Sequence, residues 1–293
     1  MTTKNEWATL RLALPKGRMQ AGVLRLLGDA GVQVDVDARG YRPTLSLEGV
    51  ETKLLKPQNI IEMLHAGSRD VGFAGADWVY ELGLKDELIE VLDLGIDPVR
   101  LVLAAPSTVL VDGKLPARPV RVATEYVWLT QQWLRTNGIE GTVIRSYGAT
   151  EVFPPEDADA IVDNSATGST LRANGLEVLA EVMRSSTRLY AHRAAMDDAG
   201  RRRRIDDLVL LLRSALDARS RVMLEVNVPH DQLDSIVAIL PCMKKPTVAR
   251  LHGDDSYAVK AAVPRKLLAS LIPELKARGG TDIVVYELSQ LVP

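Results

Sequence analysis

The segment DAIVDNSATGSTL, residues 159–171, has the residue types and the spacing that bind a phosphorylated sugar. A phosphate requires closely spaced N–H donors, room for the backbone to approach, and a helix N-terminus directed at its charge. The TGST run at residues 167–170 offers all three. Asp163 ends an apolar strand, where its carboxylate can accept hydrogen bonds from ribose hydroxyls or bind a metal ion through water. The candidate site is Asp163, Asn164, Ser165, Ala166, Thr167, Gly168, Ser169 and Thr170, here named the 163–170 segment.

An ordinary turn is the competing interpretation of the same residues. Ser169 or Thr170 is a suitable N-cap for a following helix, and TGST in isolation is more often such a turn than a binding site. The strand before the segment and the position of Asp163 favour binding, but on their own they leave both interpretations open.

Alternating apolar strands and amphipathic helices must position this segment. We predict strands at residues 10–14, 52–56, 70–74, 100–105, 120–123, 142–146 and 160–162, and helices ending at Gly31 and over 58–66 and 129–137. This alternation predicts a parallel sheet with crossover helices.

The last 75 or so residues follow a different order. Strands at 222–228, 247–251, 257–263 and 282–288, with helices at 232–240 and 266–278, give the order βαββαβ of a ferredoxin-like domain. A helix over residues 201–218 is predicted to connect it to the rest. Its first turn, Arg201 to Arg204, is interpreted as a solvated face rather than an anion site.

Composition narrows the class of protein. The chain has 293 residues, 36 basic and 38 acidic side chains and a formal net charge of -2, which does not favour a nucleic-acid-binding surface. The single cysteine, Cys242, excludes an intramolecular disulfide and favours a reducing cytoplasm. We expect neither a secretory signal nor a membrane-spanning helix.

The stretch ADAIVDNSATGSTLRANGL resembles the phosphoribosyl pyrophosphate loop of ATP phosphoribosyltransferases, the family that begins histidine biosynthesis. Other segments are similar to this family in order and spacing: ALPKGRM, DVGFAGADWVYE, LDLG, VATEYVWLT and YGATEV. The C-terminal LEVNVP, LPCMKKPTV, AVPR and VVYEL are similar to the regulatory domain of its long form. The resemblance covers almost the whole chain.

The resemblance implies a fold with three parts. A two-lobed, periplasmic-binding-protein-like catalytic part (phosphoribosyltransferase type IV-like) would have its first lobe at residues 1–98 and 185–218 and its second at 99–184. A ferredoxin-like, histidine-binding regulatory domain would occupy 219–293. The implied partners are ATP, phosphoribosyl pyrophosphate and Mg²⁺, with L-histidine as feedback inhibitor and a homohexamer built from dimers.

The resemblance also assigns roles to individual residues. Asp163 would hold the ribose hydroxyls, and Thr167 to Thr170 the 5-phosphate, with Glu151 nearby. Catalytic roles would fall to Asp163, Glu151 and Arg18, and a metal role to Asp163. The nucleotide would face Lys16, Gly17, Arg18, Lys56, Gly75 and Asp77, and histidine would contact Asn227, Thr247 and Ala262.

Several of these positions have other interpretations. Lys16 and Arg18 also fit a solvated turn, and Asp77 also fits the N-cap of the next helix. Lys56 stands where the family commonly has an arginine, so it lacks the bidentate fork that suits phosphate. Asn227 stands where an acidic residue is usual, which predicts weak histidine inhibition.

The rival functions are a bilobed small-molecule-binding protein and a catalytically silent regulatory paralogue.

Overall fold

The computed structural model describes residues 9–36 and 40–293, and most of its elements lie where the sequence periodicity predicts them. The strands are β1 (Leu10–Pro15), β2 (Val34–Asp35), β3 (Thr44–Leu45), β4 (Val50–Leu55), β5 (Val71–Gly75), β6 (Leu88–Pro106), β7 (Val120–Thr124), β8 (Gly141–Arg145), β9 (Ala160–Ser165), β10 (Leu176–His192), β11 (Arg221–Pro229), β12 (Thr247–Arg250), β13 (Ser256–Pro264) and β14 (Thr281–Glu287). The helices are α1 (Arg18–Asp29), α2 (Pro57–His65), α3 (Ala76–Glu81), α4 (Val127–Thr136), α5 (Ser169–Ala173), α6 (Arg193–Asp197), α7 (Ala199–Ser220), α8 (Leu233–Val237) and α9 (Leu268–Ala277).

The described residues divide into two compact units. One contains the described residues up to Leu24 together with Val34–Asp206, and the other contains Arg25–Gln33 with Asp207–Pro293. The predicted lobe and domain boundaries at residues 98, 184 and 218 stay predictions.

The first unit is built on an eight-stranded sheet in the order β4-β1-β5-β10-β6-β9-β7-β8. Strands β4, β1 and β5 are parallel, as are β9, β7 and β8. Between these two halves lie β10 and β6, which are antiparallel to each other and to their outer neighbours. The predicted parallel pairing is therefore found in the two outer parts of the sheet, whereas the centre is antiparallel because β10 returns the chain along the length of β6.

Apolar residues explain the position of the inner strands. All five residues of β5 are buried, as expected for a strand covered on both faces. Helix α2 buries Ile60, Ile61 and Leu64 in a cluster with Ala13 and Ala74 of the neighbouring strands. The 3.6-residue repeat of those apolar residues is what makes α2 predictable from the sequence.

The second unit contains a four-stranded antiparallel sheet in the order β12-β13-β11-β14. Buried and half-buried residues alternate strictly along β11, and Val222, Leu224, Val226 and Val228 form the core with residues of α8 and α9. The predicted βαββαβ ferredoxin-like order is confirmed. Within the described ranges, no helix is long and apolar enough to cross a membrane.

Candidate active site

Strand β9 extends three residues further than predicted and carries Asp163 near its end. The chain then turns through Gly168, whose φ of 74° lies in the left-handed region that favours glycine, and enters α5. Gly168 is the N-cap of α5 and has no side chain of its own to cap this helix, so the proposed capping by Ser169 or Thr170 is wrong. The first N–H of α5, that of Ser169, donates to Thr167 Oγ1 at the long distance of 3.4 Å.

The hydroxyl groups of the turn lie close together. Thr167 Oγ1 and Ser169 Oγ are 2.9 Å apart, and the side chains of Thr167, Ser169 and Thr170 belong to exposed residues. Arg172 Nη2 donates to the Thr167 carbonyl at 3.1 Å, which fixes the turn from its far side. Exposed hydroxyls beside the N–H groups of a helix start can bind the oxygens of a phosphate.

Asp163 lies in a negative electrostatic environment. Burial above all raises the pKa of Asp163 to about 6, and the charges of Glu125 and Glu151 raise it as well. The N–H of Asn164, which donates to Asp163 Oδ1 at 2.6 Å, and the Thr150 hydroxyl oppose that rise in pKa. Glu151 belongs to a 3-10 turn, Thr150–Val152, between β8 and β9.

A cavity of about 290 Å³ connects the two halves of the first unit's sheet. Its wall includes the predicted residues Lys16, Arg18, Gly75, Asp77 and Asn164. The structure therefore brings the turn after β1, the start of α3 and the end of β9 to one place. The volume of this cavity and its mixture of polar and apolar lining residues suit part of a small-molecule substrate.

Other predicted residues lie outside this wall. Lys56 is exposed and is the N-cap of α2, whereas its neighbours Pro57 and Gln58 line the cavity. Gly17, with φ of 80°, makes the turn that separates Lys16 from Arg18. The structure therefore does not bring Lys56 to the cavity together with Lys16 and Arg18.

Lys16 is not merely a solvated side chain. It is half-buried, and its Nζ lies 4.0 Å from the centre of the Tyr41 ring, a cation–π distance. The Lys16 N–H donates to the Leu55 carbonyl at 2.8 Å, which ties the turn to β4. Arg18, in contrast, is an exposed residue at the start of α1.

Asp77 is buried, and each of its carboxylate oxygens accepts from a protein hydroxyl. Its Oδ2 accepts from the Tyr126 hydroxyl at 2.8 Å, and its Oδ1 accepts from Ser185 Oγ at 2.6 Å. Gly75, not Asp77, is the N-cap of α3. Asp77 therefore does not cap α3; it lines the cavity, with each carboxylate oxygen accepting from one protein hydroxyl.

Sequence reasoning missed seven polar residues of the cavity wall: Gln58, Asp97, Glu125, Tyr126, Ser185, Ser186 and Thr187. Glu125 and Tyr126 directly follow β7, so the rule that strand ends carry functional residues could have found them. Ser185 lies in β10, a strand that was not predicted, and no sequence signal indicated it.

A second, larger cavity of about 590 Å³ lies elsewhere in the first unit. Its wall combines residues 113–119 with Trp133 and contains none of the predicted site residues. The smaller cavity is the candidate active site, because it gathers charged side chains beside Asn164 of the 163–170 segment. Within the ranges 9–36 and 40–293, no group of three or more His, Cys, Asp or Glu side chains could hold a metal ion by itself.

The three residues predicted to contact histidine lie on one face of the second unit's sheet, opposite its helices. In the strand register Asn227 faces Ala258, Thr247 faces Lys260, and Ala262 faces Met223. Asn227 and Ala262 are thus offset by four residues, about 13 Å along the strands. The Asn227 amide donates to Asp282 Oδ2 at 3.0 Å.

Glu225, two residues before Asn227, is already engaged. Its Oε2 accepts from the Tyr286 hydroxyl at 3.0 Å and pairs with Lys260 Nζ at 3.3 Å. It is therefore poorly placed to replace the acidic group that Asn227 lacks.

Comparison with known proteins finds relatives along the whole chain. Residues 56–214 match the family model described as ATP phosphoribosyltransferase, and residues 218–290 match the one described as HisG, C-terminal domain. An ATP phosphoribosyltransferase of Pelotomaculum thermopropionicum is 40% identical over 289 residues, covering 97% of this chain and 99% of that protein. One from Chlorobium luteolum is 37% identical and covers 100% of both chains.

A solved structure, the ATP phosphoribosyl transferase (HisG:HisZ) complex from Thermotoga maritima, gives a TM-score of 0.62 at 26% identity. The match covers 71% of this chain and 99% of that chain.

Proposed function

Because the chain belongs to the ATP phosphoribosyltransferase family, we propose that it transfers the phosphoribosyl group of phosphoribosyl pyrophosphate to N1 of ATP. The products are phosphoribosyl-ATP and pyrophosphate, and this is the first step of L-histidine biosynthesis. The observation that supports this most is the position of Asp163. It lies near the end of β9, just before the turn into α5, and its neighbour Asn164 lines the cavity that Lys16 and Arg18 also line.

In this proposal the 163–170 segment holds the phosphoribosyl donor. The N–H groups and hydroxyls of Thr167, Ser169 and Thr170 bind the 5-phosphate, and Gly168 lets the backbone approach it. Asp163 accepts hydrogen bonds from the ribose hydroxyls. ATP occupies the opposite side, facing Lys16 and Arg18.

The transfer needs no protein nucleophile. Adenine N1 forms a bond to C1 of the ribose while the bond from C1 to the pyrophosphate oxygen breaks, and the electron pair of that bond leaves with pyrophosphate. The ribose becomes positively charged as the bond stretches. The carboxylates of Asp163, Glu125 and Glu151 already interact electrostatically, and their negative field favours that charge.

Asp163 is therefore an orienting and electrostatic group rather than a general base. Adenine N1 carries no proton at neutral pH, so nothing must be removed from it. With a pKa of about 6, Asp163 is mainly ionised at pH 7.5. Arg18 is proposed to stabilise the leaving group and Glu151 to support Asp163.

Mg²⁺ fits this site through the substrate rather than through a protein cage. Asp163 is the carboxylate that could hold the ion, directly or through water, with the remaining ligands from phosphate and ribose oxygens. When bound, the ion supplies positive charge that stabilises pyrophosphate as it leaves.

Lys56 keeps only a weaker proposed role in nucleotide binding. Its exposed position at the N-cap of α2, away from the cavity wall, argues against direct phosphate contact there. Pro57 and Gln58 are nearer to the nucleotide in this proposal.

We further propose that the second unit binds L-histidine as a feedback inhibitor, through Asn227, Thr247 and Ala262, in a cytoplasmic homohexamer built from dimers. The spread of these residues over about 13 Å suits a ligand completed by a second subunit. The Asn227 amide, bonded to Asp282, makes the inhibition weak.

One experiment tests the transfer. The protein is mixed with ATP, phosphoribosyl pyrophosphate and Mg²⁺, and phosphoribosyl-ATP is measured with time, beside the Asp163→Asn variant. We expect product with the wild type and a turnover reduced at least about tenfold in the variant, since a charge-assisted hydrogen bond is lost. No product from folded wild-type protein would favour a binding protein or a silent paralogue, and full activity in Asp163→Asn would exclude the role of Asp163.

A further inference from the structure

We infer that Tyr126 is a positioning residue of the transfer reaction. With Asp77 and Glu81 of α3 it holds the half of the sheet that carries the 163–170 segment against the half that carries Lys16 and Arg18. This inference rests on the proposed function. It adds a defined contact between the halves, which we name the α3 latch: Asp77, Glu81 and Tyr126.

The first part of the latch is Glu81. Helix α3 follows β5, whereas α4 follows β7 in the other half of the sheet. Glu81 is 7% exposed, and its two carboxylate oxygens accept from the backbone N–H groups of Trp128 and Leu129 at 3.1 and 3.0 Å. These N–H groups begin α4.

Glu81 thus supplies a cap that α4 does not have locally. The N-cap residue of α4, Tyr126, makes no capping bond through its own side chain. An unpaired helix start is unfavourable when buried, and a carboxylate there also interacts favourably with the helix dipole. The start of α4 is therefore completed only when α3 of the other half is in contact with it.

The second part is the Tyr126 hydroxyl. Tyr126 is 2% exposed, and its hydroxyl donates to Asp77 Oδ2 at 2.8 Å. Its ring packs on Trp78 with 4.8 Å between ring centres. Asp77 and Glu81 are four residues apart, so they project from the same side of α3 and contact the start of α4 at two points.

Tyr126 also connects the latch to the 163–170 segment. The side-chain amide of Asn164 lies 3.5 Å from the Tyr126 hydroxyl, and Asn164 directly follows Asp163. Burial, together with the charge of Asp77, raises the pKa of Tyr126 well above its usual value, so the hydroxyl keeps its proton and remains a donor to Asp77. A chain of contacts therefore runs from α3 through Tyr126 to the residue beside Asp163.

The latch residues act through geometry. Both oxygens of Asp77 accept from Tyr126 and Ser185, and both oxygens of Glu81 accept from backbone N–H groups. A donor bound at the 163–170 segment and a nucleotide bound at Lys16 must be aligned to within a fraction of an ångström for in-line attack. We therefore expect the latch to affect turnover more than it affects binding of ATP.

The test compares two tyrosines. Tyr126→Phe removes the hydroxyl and keeps the ring. Tyr190→Phe is the matched control, because Tyr190 is also buried, at 3% exposure, and its hydroxyl also donates to a carboxylate, Glu90 Oε2 at 3.4 Å. Both variants are assayed for phosphoribosyl-ATP formation well below their melting temperatures, with kcat and the KM for each substrate determined separately.

We expect Tyr126→Phe to lower kcat about tenfold or more, with the KM for ATP within about threefold of wild type. Tyr190→Phe should retain kcat within about threefold. Equal kcat values for the two variants would overturn the inference, since loss of a buried hydroxyl would then act only through stability. Absence of product from the wild type would instead overturn the proposed function.

A second variant tests the latch without relying on turnover. Glu81→Gln keeps the shape of the side chain but replaces one acceptor oxygen by an NH₂ group that faces a backbone N–H. We expect faster hydrogen exchange at the amides of Trp128 and Leu129, by about tenfold or more, and a fall in kcat in the same direction as Tyr126→Phe. Unchanged exchange at these two amides would contradict the latch.

Discussion

Replacing Asp163 by asparagine should stabilise the ligand-free protein at neutral pH. Burial and the charges of Glu125 and Glu151 raise the pKa of Asp163 from 3.8 to about 6 in the folded state. The folded protein therefore binds this proton more tightly than the unfolded chain does. The stability that this proton contributes is complete below pH 3.8 and is lost as the pH rises through about 6.

The magnitude follows from that difference in pKa. A change from 3.8 to about 6 corresponds to roughly 3 kcal/mol above both values, and partial solvent access to the half-buried carboxylate reduces it to about 1–2 kcal/mol. Asparagine carries no charge and keeps an oxygen that can accept from the Asn164 N–H. Asp163→Asn should therefore be more stable by about 1–2 kcal/mol at pH 7.5 and nearly equal to wild type at pH 4.

The assay is urea unfolding of both proteins at pH 4, 5, 6 and 7.5 without substrates. Asp159→Asn is the matched control of opposite sign. Asp159 is buried and accepts from Arg118 at 2.7 and 3.2 Å, and the hydrogen bond from Arg118 above all holds the pKa of Asp159 below its usual value. That variant should be destabilised at pH 7.5. An Asp163→Asn variant that is less stable than wild type at pH 7.5, or whose difference does not depend on pH, would refute the electrostatic reasoning.

Three further predictions concern the glycines and the inhibitor. In Gly75→Ala the new Cβ would collide with the Asp77 carboxylate, which Tyr126 and Ser185 hold in place. We expect the free energy of unfolding to fall by about 1–3 kcal/mol and kcat/KM to be at least tenfold lower. An unchanged melting temperature would contradict the collision. Gly168→Ala should lower the free energy of unfolding by about 1–2 kcal/mol because of the φ of 74°, and should raise the KM for phosphoribosyl pyrophosphate but not for ATP. Equal increases in both KM values would count against binding of the donor by the 163–170 segment. Titration of the initial rate with L-histidine should show inhibition only at high concentration because of the amide at Asn227, and strong inhibition at low concentration would refute that expectation.

Periodicity predicted much of this fold. Helix α2 and strand β5 have apolar residues at helical spacing and in a continuous buried run, and the structure has both within about one residue of the predicted bounds. The second unit was also predictable, because β11 alternates buried and half-buried residues and turns separate it from its neighbours.

The long central strands were harder to predict. Only part of β6 was expected and β10 was missed, since buried and solvent-facing residues follow no regular alternation along either strand. The register of β10 on β6 shifts at several points, which disturbs the two-residue repeat that identifies a strand. The direction of β10 depends on tertiary pairing, and no local pattern specifies it.

The candidate site also contains residues that a local sequence pattern identifies and residues that only tertiary pairing brings together. Asp163 and Gly168 were identified because a strand end followed by a glycine-containing turn has local requirements. The contact between Asp77 and Tyr126 joins residues 49 positions apart in the chain, so the sequence could not indicate that Asp77 is occupied by protein donors. Ser185, 108 positions from Asp77, was inaccessible to sequence reasoning for the same reason.

The most direct test of the central claim is a crystal structure of the protein with phosphoribosyl pyrophosphate and Mg²⁺. We expect the 5-phosphate to lie against the N–H groups of residues 167–170, with both ribose hydroxyls within hydrogen-bond distance of the Asp163 carboxylate. A donor bound with its 5-phosphate at Lys16 and Arg18, or in the larger cavity beside Trp133, would contradict it.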